Sequence, residues 1–116
     1  MKDENTQTNN QPPEFSGVSY DFDLFFNGDA VDGVNINHFY VDPDRRRQSL
    51  GTTTLDTLIT HFTETYPSLE YVVVNAKGGV GMKRLLSALG FKIIEDHSDR
   101  DGHITGELSV TQSQSN

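Results

Sequence analysis

Two stripes of apolar residues at helical spacing bracket a short apolar run, Tyr71-Val72-Val73-Val74, and this arrangement constrains the fold more than any other feature of the chain. Upstream, Leu55, Leu58, Ile59 and Phe62 recur at intervals of three and four, with Leu50 and Thr54 a turn earlier; downstream, Met82, Leu85, Leu86 and Leu89 repeat the pattern. That spacing gathers the apolar side chains on one side of an α-helix. A run that is apolar at consecutive positions offers no polar face to water, so it reads as a buried parallel strand. Helices are predicted from about Leu50 to Thr65, stopped by Pro67, and through Met82–Leu89, capped by Gly90.

The flanking segments supply further strands. Val18, Tyr20, Phe22 and Leu24 alternate with Ser19, Asp21 and Asp23, the period of a half-buried strand, and Asn27-Gly28 is a tight-turn dipeptide. A second strand runs from about Val31 to Val41 with broken parity. Val34 and Ile36 share one face, Phe39 and Val41 the other, and one extra residue near Asn37-His38 would reconcile them, so a β-bulge is predicted there. Phe91 to Ile94 reads as a strand and Asp99-Arg100-Asp101-Gly102 as a hairpin turn. The last strand carries Ile104, Leu108 and Val110 on one face. The order β-β-α-β-α-β-β gives an α+β fold: a mixed sheet with two hairpins and a central β-α-β-α-β, flanked by two helices. Residues 15–110 form this domain, and the polar segments 1–14 and 111–116 are expected to be disordered tails.

Composition excludes several functions. With 17 acidic against 9 basic residues the net charge is −8, the wrong sign for a general nucleic-acid binder or for an anionic membrane surface. No apolar run approaches the ~18 residues of a spanning helix, and residues 1–14 hold no apolar signal core, so a cytoplasmic location is expected. The absence of cysteine rules out disulfides, thiol catalysis and cysteine-bound metal. His61, His97 and His103 have no metal-ligand spacing, and a calcium loop aligned on Gly102 would begin at His97 and end at Leu108, neither a proper ligand.

Lys77-Gly78-Gly79-Val80-Gly81, between strand and helix, raises the question of a deviant Walker A loop. Such a loop places lysine after the last glycine, then a hydroxyl for magnesium; here Met82, Lys83 and Arg84 stand in those places, so the ATPase reading fails. The better phosphate site lies upstream, where Val41-Asp42-Pro43-Asp44-Arg45-Arg46-Arg47-Gln48-Ser49-Leu50-Gly51 joins a strand to a helix start. A helix N-terminus presents unpaired N–H groups and the positive end of its dipole, both suited to a pyrophosphate. Small residues at Ser49, Gly51 and Thr52 let phosphate oxygens approach the backbone. The bland alternative is that the three arginines are a solvated charged loop.

This stretch resembles the acyl-CoA motif of the GNAT acetyltransferases, V-x-P-x-x-R-G-x-G-x-G. Val41, Pro43, Arg46 and Gly51 fall on it, Leu55 follows, and Ser49 replaces the first glycine of the shorter core Q/R-x-x-G-x-G/A. Downstream, Val72-Val73-Val74-Asn75 and Leu89-Gly90-Phe91 match the family's strand, asparagine and closing L-G-F, so the resemblance covers roughly residues 34–94.

The resemblance implies a protein that binds acetyl-CoA or another acyl-CoA and transfers the acyl group to an amine of a small molecule or a protein. Gln48, Ser49, Leu50, Gly51, Thr52 and Thr53 would hold the pyrophosphate, with Arg46 and Arg47 adding charge. Backbone N–H groups around Phe39 to Val41 would polarise the thioester carbonyl, and Asn75 would contact the cofactor arm. The glycines at 78–81 would let the second helix pack closely beside that arm. His38 is the candidate base. Leu86 stands where many members carry a tyrosine that protonates the departing thiolate, and the segment before the motif lacks the helices that build the acceptor site. Two alternatives stay open: a non-catalytic module that senses CoA or serves as a protein-binding adaptor, and a structural protein with no ligand. The exposed edge of the N-terminal hairpin is the surface through which a homodimer would form.

Overall fold

The computed structural model describes residues 17–42 and 50–110. In chain order these form β1 (Val18–Asn27), β2 (Ala30–Val41), α1 (Leu50–Thr65), β3 (Tyr71–Lys77), α2 (Gly79–Ala88), β4 (Lys92–His97) and β5 (His103–Ser109). The order of elements is the predicted one; the two tails and the arginine loop lie outside the described residues. Boundaries differ at several ends: α2 begins at Gly79, ahead of Met82, and β4 runs on past Ile94 to His97. β3 runs on to Lys77, because its ladder with β5 pairs residues as far as Lys77 and His103. Phe91 precedes β4: it closes α2, donating its N–H to Leu86 O at 2.9 Å while Gly90 donates to Ser87 O at 3.0 Å. Gly90 sits at φ 96°, the left-handed conformation this helix ending requires.

The five strands lie in the order β1-β2-β3-β5-β4. Only β2 and β3 run parallel, as expected of strands joined by a crossover helix; the other pairs are antiparallel. One cross-strand row shows how the helices sit. Phe22 pairs with Ile36, Ile36 with Val74, Val74 with Gly106 and Gly106 with Ile93. Paired residues project to the same side of a sheet. The α1 residue Phe62 has its ring 5.2 Å from that of Phe22 at one end of the row. At the other end, a Cβ on Gly106 would lie 3.2 Å from Leu86 of α2. Both helices therefore cover the same face.

That face is the core. Val34, Ile36, Val72, Val74, Leu55, Leu58, Leu86 and Ile104 are fully buried in it. The next row over, Asp23-Asn35-Val73-Glu107-Lys92, projects from the opposite face, which no described helix covers. Apart from Val73 its side chains are polar, and none of the five is buried. The uncovered face has one aromatic device. Phe25, Gly33 and Tyr71 pair in a row, and the Phe25 and Tyr71 rings stack with centroids 6.5 Å apart. Gly33 is required there, since a Cβ would fall 2.2 Å from the Tyr71 ring.

Replacing a core methyl-rich side chain should therefore cost far more than replacing an exposed aromatic one. Leu58→Ala is expected to lower unfolding free energy by about 2–5 kcal/mol in urea titration, and Phe26→Thr, at a residue 61% exposed, to change it by about 0.5 kcal/mol.

Candidate functional site

The predicted bulge is present and is the centre of the site. Ile36 pairs with Val74 and Phe39 with Ala76, so Asn37 and His38 together oppose Asn75. On the other side, Asp21 pairs with Asn37 and Ser19 with Tyr40, so β2 also carries an extra residue relative to β1. His38 absorbs it at φ 54°, a left-handed conformation that histidine adopts more readily than most side chains do. The switch of parity puts Phe39 and Val41 on the core face with Ile36, which resolves the broken alternation in the sequence.

Beyond the Phe39–Ala76 pair, β2 and β3 pair no further, although β2 continues to Val41. The strands splay and leave a cleft of about 490 Å³, bordered by Asn37 to Tyr40 on β2, Asn75 to Lys77 on β3, and His103 of β5. A volume of that size suits a small-molecule site. A second, separate gap of about 200 Å³ lies between α1 and α2, lined by Val41, Gly51, Gly78, Gly81, Met82 and Leu85. Gly51 lets α1 approach this closely: a Cβ there would lie 2.7 Å from Leu85 and 3.3 Å from Val41.

The glycine cluster has a structural use that the sequence alone did not reveal. The amides of Gly78 and Gly79 both donate to Gly102 O, at 3.1 and 3.0 Å. The start of α2 is thus capped by the turn between β4 and β5, and those two donors are already engaged. Gly78 and Gly79 have positive φ, 153° and 62°, which makes this close docking accessible to glycine. The same hairpin is tied to α2 by Lys83, whose Nζ lies 2.8 Å from Asp96. Hydrogen bonds from Lys83 and then from Ser98 hold the Asp96 carboxyl well below the usual carboxylate range. Asp101, accepting from the His103 N–H at 3.0 Å, is also lowered.

Below the cleft, on the uncovered face, lies a lattice of amides. Asn75 donates to Asn35 Oδ1 at 3.1 Å and to Asn37 Oδ1 at 2.9 Å, and accepts from Thr105 Oγ1 at 2.9 Å. Asn37 in turn donates to Asp23 at 3.1 Å. Asn75 thus borders the cleft while its carboxamide locks β2, β3 and β5 together on either side of the bulge.

The candidate residues from the sequence divide as follows. Arg46, Arg47, Gln48 and Ser49 lie outside the described residues. Leu50, Gly51, Thr52 and Thr53 form the first turn of α1, with Gly51 buried against the second gap and both threonines exposed. Phe39 and Val41 send their side chains into the core, so only their backbone can serve the cleft. His38 borders the cleft with its ring 83% exposed and Nδ1 3.2 Å from Asp21 Oδ2. Leu86 is fully buried, and a Cβ added at Gly106 would lie 3.2 Å from both Leu86 and Phe91. Tyr40, Lys77 and His103 also border the cleft. Sequence reading passed over them because strand-end residues become neighbours only once the splay and the β3–β5 register are known. Among the described residues no cluster of His, Asp or Glu could hold a metal ion, and no helix is long and apolar enough to cross a membrane.

A mixed α+β sheet that splays beyond a bulge, with a crossover helix starting at its mouth, is the GNAT fold, and the chain has it. No family model and no curated protein matches the sequence. Solved structures do. NAA60 from Arabidopsis thaliana, in complex with a bisubstrate analogue, is similar at TM-score 0.59 and 10% identity, over 81% of this chain and 64% of its own. A chain of the NatC complex bound to Gag peptide and CoA is similar at TM-score 0.61 and 9% identity, over 82% of this chain and 62% of its own. The ribosomal-protein-S18-alanine N-acetyltransferase of Escherichia coli is similar at TM-score 0.54 and 18% identity, over 93% of this chain and 77% of its own. The chain thus spans under two thirds of the length of the first two. The likeness is one of fold.

Two outcomes follow from the site's construction. A tyrosine introduced by Leu86→Tyr enters the core and not the cleft, and is expected to lower stability by about 1–3 kcal/mol through overpacking, measured by urea denaturation. The lowered Asp96 and Asp101 carboxyls favour the folded state above the unfolded carboxylate value near 3.9, and that contribution disappears as pH falls through the lower folded values. Urea midpoints should therefore fall below about pH 4, and Lys83→Met should make that fall shallower.

Proposed function

We propose that the protein binds acetyl-CoA in the β2–β3 cleft and transfers the acetyl group to an amine. One observation carries this reading: β2 and β3 part beyond the His38 bulge at a cleft of about 490 Å³, and the next residue of β2, Val41, lines a separate gap together with Gly51 in the first turn of α1. Two neighbours of the same fold support it, one bound to a bisubstrate analogue and one to CoA and a peptide.

The residues present fit such a cofactor. The narrow gap between Gly51, Gly78 and Gly81 is a channel that larger side chains would fill, as the contacts of a Cβ at Gly51 illustrate. In this reading the first-turn amides of α1, Gly51 to Thr53, receive the pyrophosphate, helped by the dipole and by Arg46 and Arg47. Gln48 and Ser49, which precede α1 in sequence, would contribute to the same site. The thioester is supplied by the bound acetyl-CoA. The β2 backbone around Phe39 to Val41 would be the part of the cleft to support the carbonyl oxygen, where negative charge would grow as the amine nitrogen attacks. His38, oriented by Asp21 at its Nδ1, takes the proton that the amine gives up when the new C–N bond forms and the C–S bond breaks. The thiolate leaves without a proton from residue 86. Asn75 sets the position of β3 along the cofactor arm through its three side-chain hydrogen bonds.

A second reading has its own observation. Leu86 is core and no described helix covers the acceptor side of the sheet, which favours a module that binds CoA without turnover or recruits a protein. Calorimetric titration with acetyl-CoA tests the shared part. Micromolar binding is expected, and its loss in the double variant Arg46→Ala/Ser49→Glu. No binding at millimolar acetyl-CoA would reject both the transferase and the sensor. With binding established, thiol release that depends on added amine separates the transferase from the sensor. His38→Ala should then lower turnover about 100-fold or more while leaving the acetyl-CoA affinity within about twofold.

A further inference from the structure

The N-terminal hairpin is charged and built unlike the rest of the chain. Residues 17–42 contain Asp21, Asp23, Asp29, Asp32 and Asp42 and not one lysine or arginine. β1 is an edge strand of the sheet. The two register shifts in its ladder with β2, at Ser19/Asp21 and at Phe25/Phe26, both place the extra residue on β2, so β1 itself carries no bulge and the interruptions that usually protect an edge are absent from Asp21 to Phe25. On the uncovered face this run presents Asp21, Asp23 and Phe25; on the core face it presents Phe22 and Leu24, both only partly buried. Phe26, just beyond, is 61% exposed. The face next to the edge is electronegative as well. Burial first, then Asp32, Glu107 and Glu70, push the Tyr71 phenol up from its ordinary value.

We propose that the outer edge of β1 takes up an extended, basic segment of a partner protein as a sixth strand. Main-chain hydrogen bonds to Asp21–Phe25 would hold it, and the alternation of β1 sets its chemistry. Side chains on the uncovered side stand beside Asp21 and Asp23 and are lysine or arginine. Those on the other side stand beside Tyr20, Phe22 and Leu24 and are apolar. A second copy of this chain is a poor occupant: antiparallel pairing of β1 with itself brings aspartates beside aspartates with no Lys or Arg on either strand. Asp21 and Asp23 also touch His38 and Asn37 at the border of the cleft, but the partner strand engages the outer edge of β1, and the inference stands whichever reading of the cleft holds.

The test uses a fluorescein-labelled ten-residue peptide alternating valine and lysine, titrated with the full chain and followed by anisotropy. Saturable binding is expected that weakens as sodium chloride rises from about 50 to 300 mM. It should weaken about 10-fold or more in Asp21→Lys/Asp23→Lys, and for a valine–glutamate peptide. Lys92→Glu, at the far edge, should leave it unchanged. Amide hydrogen exchange keeps the proposal testable if the double variant folds poorly: the peptide should add protection at Asp21–Phe25 of the unmodified protein and none on β4. No saturable binding, equal binding of the glutamate peptide, or added protection on β4 instead would overturn the proposal. So would protection of β1 that rises with protein concentration alone, the signature of a second copy.

Discussion

One extra residue in β2 sets the geometry on which the rest depends. His38 at φ 54° is out of step with both neighbouring strands. Because side chains alternate every residue along a strand, the insertion exchanges the two faces of everything after it. With that residue present and no bulge to absorb it, Phe39 and Val41 would face water and their apolar surface would be lost from the core. With the bulge, both are buried, and β2 bends away from β3. Core formation and cleft opening are consequences of the same backbone kink. A left-handed non-glycine residue costs on the order of 1–3 kcal/mol, and two features offset that here: burial of Phe39 and Val41, and the Asn37–Asn75 bond that pins the kink from the uncovered face.

The glycines divide the labour around that cleft. Gly51 allows α1 to close against Leu85 and Val41, and the Gly78-Gly79 amides dock the β4–β5 turn through Gly102. The second helix is thereby fixed at its start by the hairpin and at its end by the Gly90 turn. Its position relative to α1, and so the width of the gap between them, is held from both ends. The resemblance of Lys77–Gly81 to a phosphate loop is superficial for a physical reason: the donors such a loop would aim at a phosphate are bonded to a carbonyl.

Much of this was legible in the sequence. Helical spacing in Leu55–Phe62 and Met82–Leu89 fixed the two helices, and the parity break at Asn37-His38 located the bulge, because burial enforces alternation strongly. Leu50–Thr53 and Phe39–Val41 were singled out through the family resemblance, and the fold brings Val41 and Gly51 of these two segments side by side. What remained hidden depends on register between distant strands. The amide lattice of Asn35, Asn37, Asn75 and Thr105 joins three strands, and no local pattern announces it. The same is true of His103 at the cleft and of both helices sharing one face, leaving the other open.

The central claim is that the extra residue makes the binding cleft. Deleting His38 restores simple alternation, with Ile36 and Phe39 still facing the core across Asn37, so the shortened chain should fold with a continuous β2. Replacing it by His38→Gly keeps the kink and removes the side chain. Calorimetric titration of both with acetyl-CoA is the most direct test. The account predicts binding close to wild type for His38→Gly and none for the deletion, with both folded by circular dichroism. A folded deletion variant that binds as tightly as wild type would contradict it.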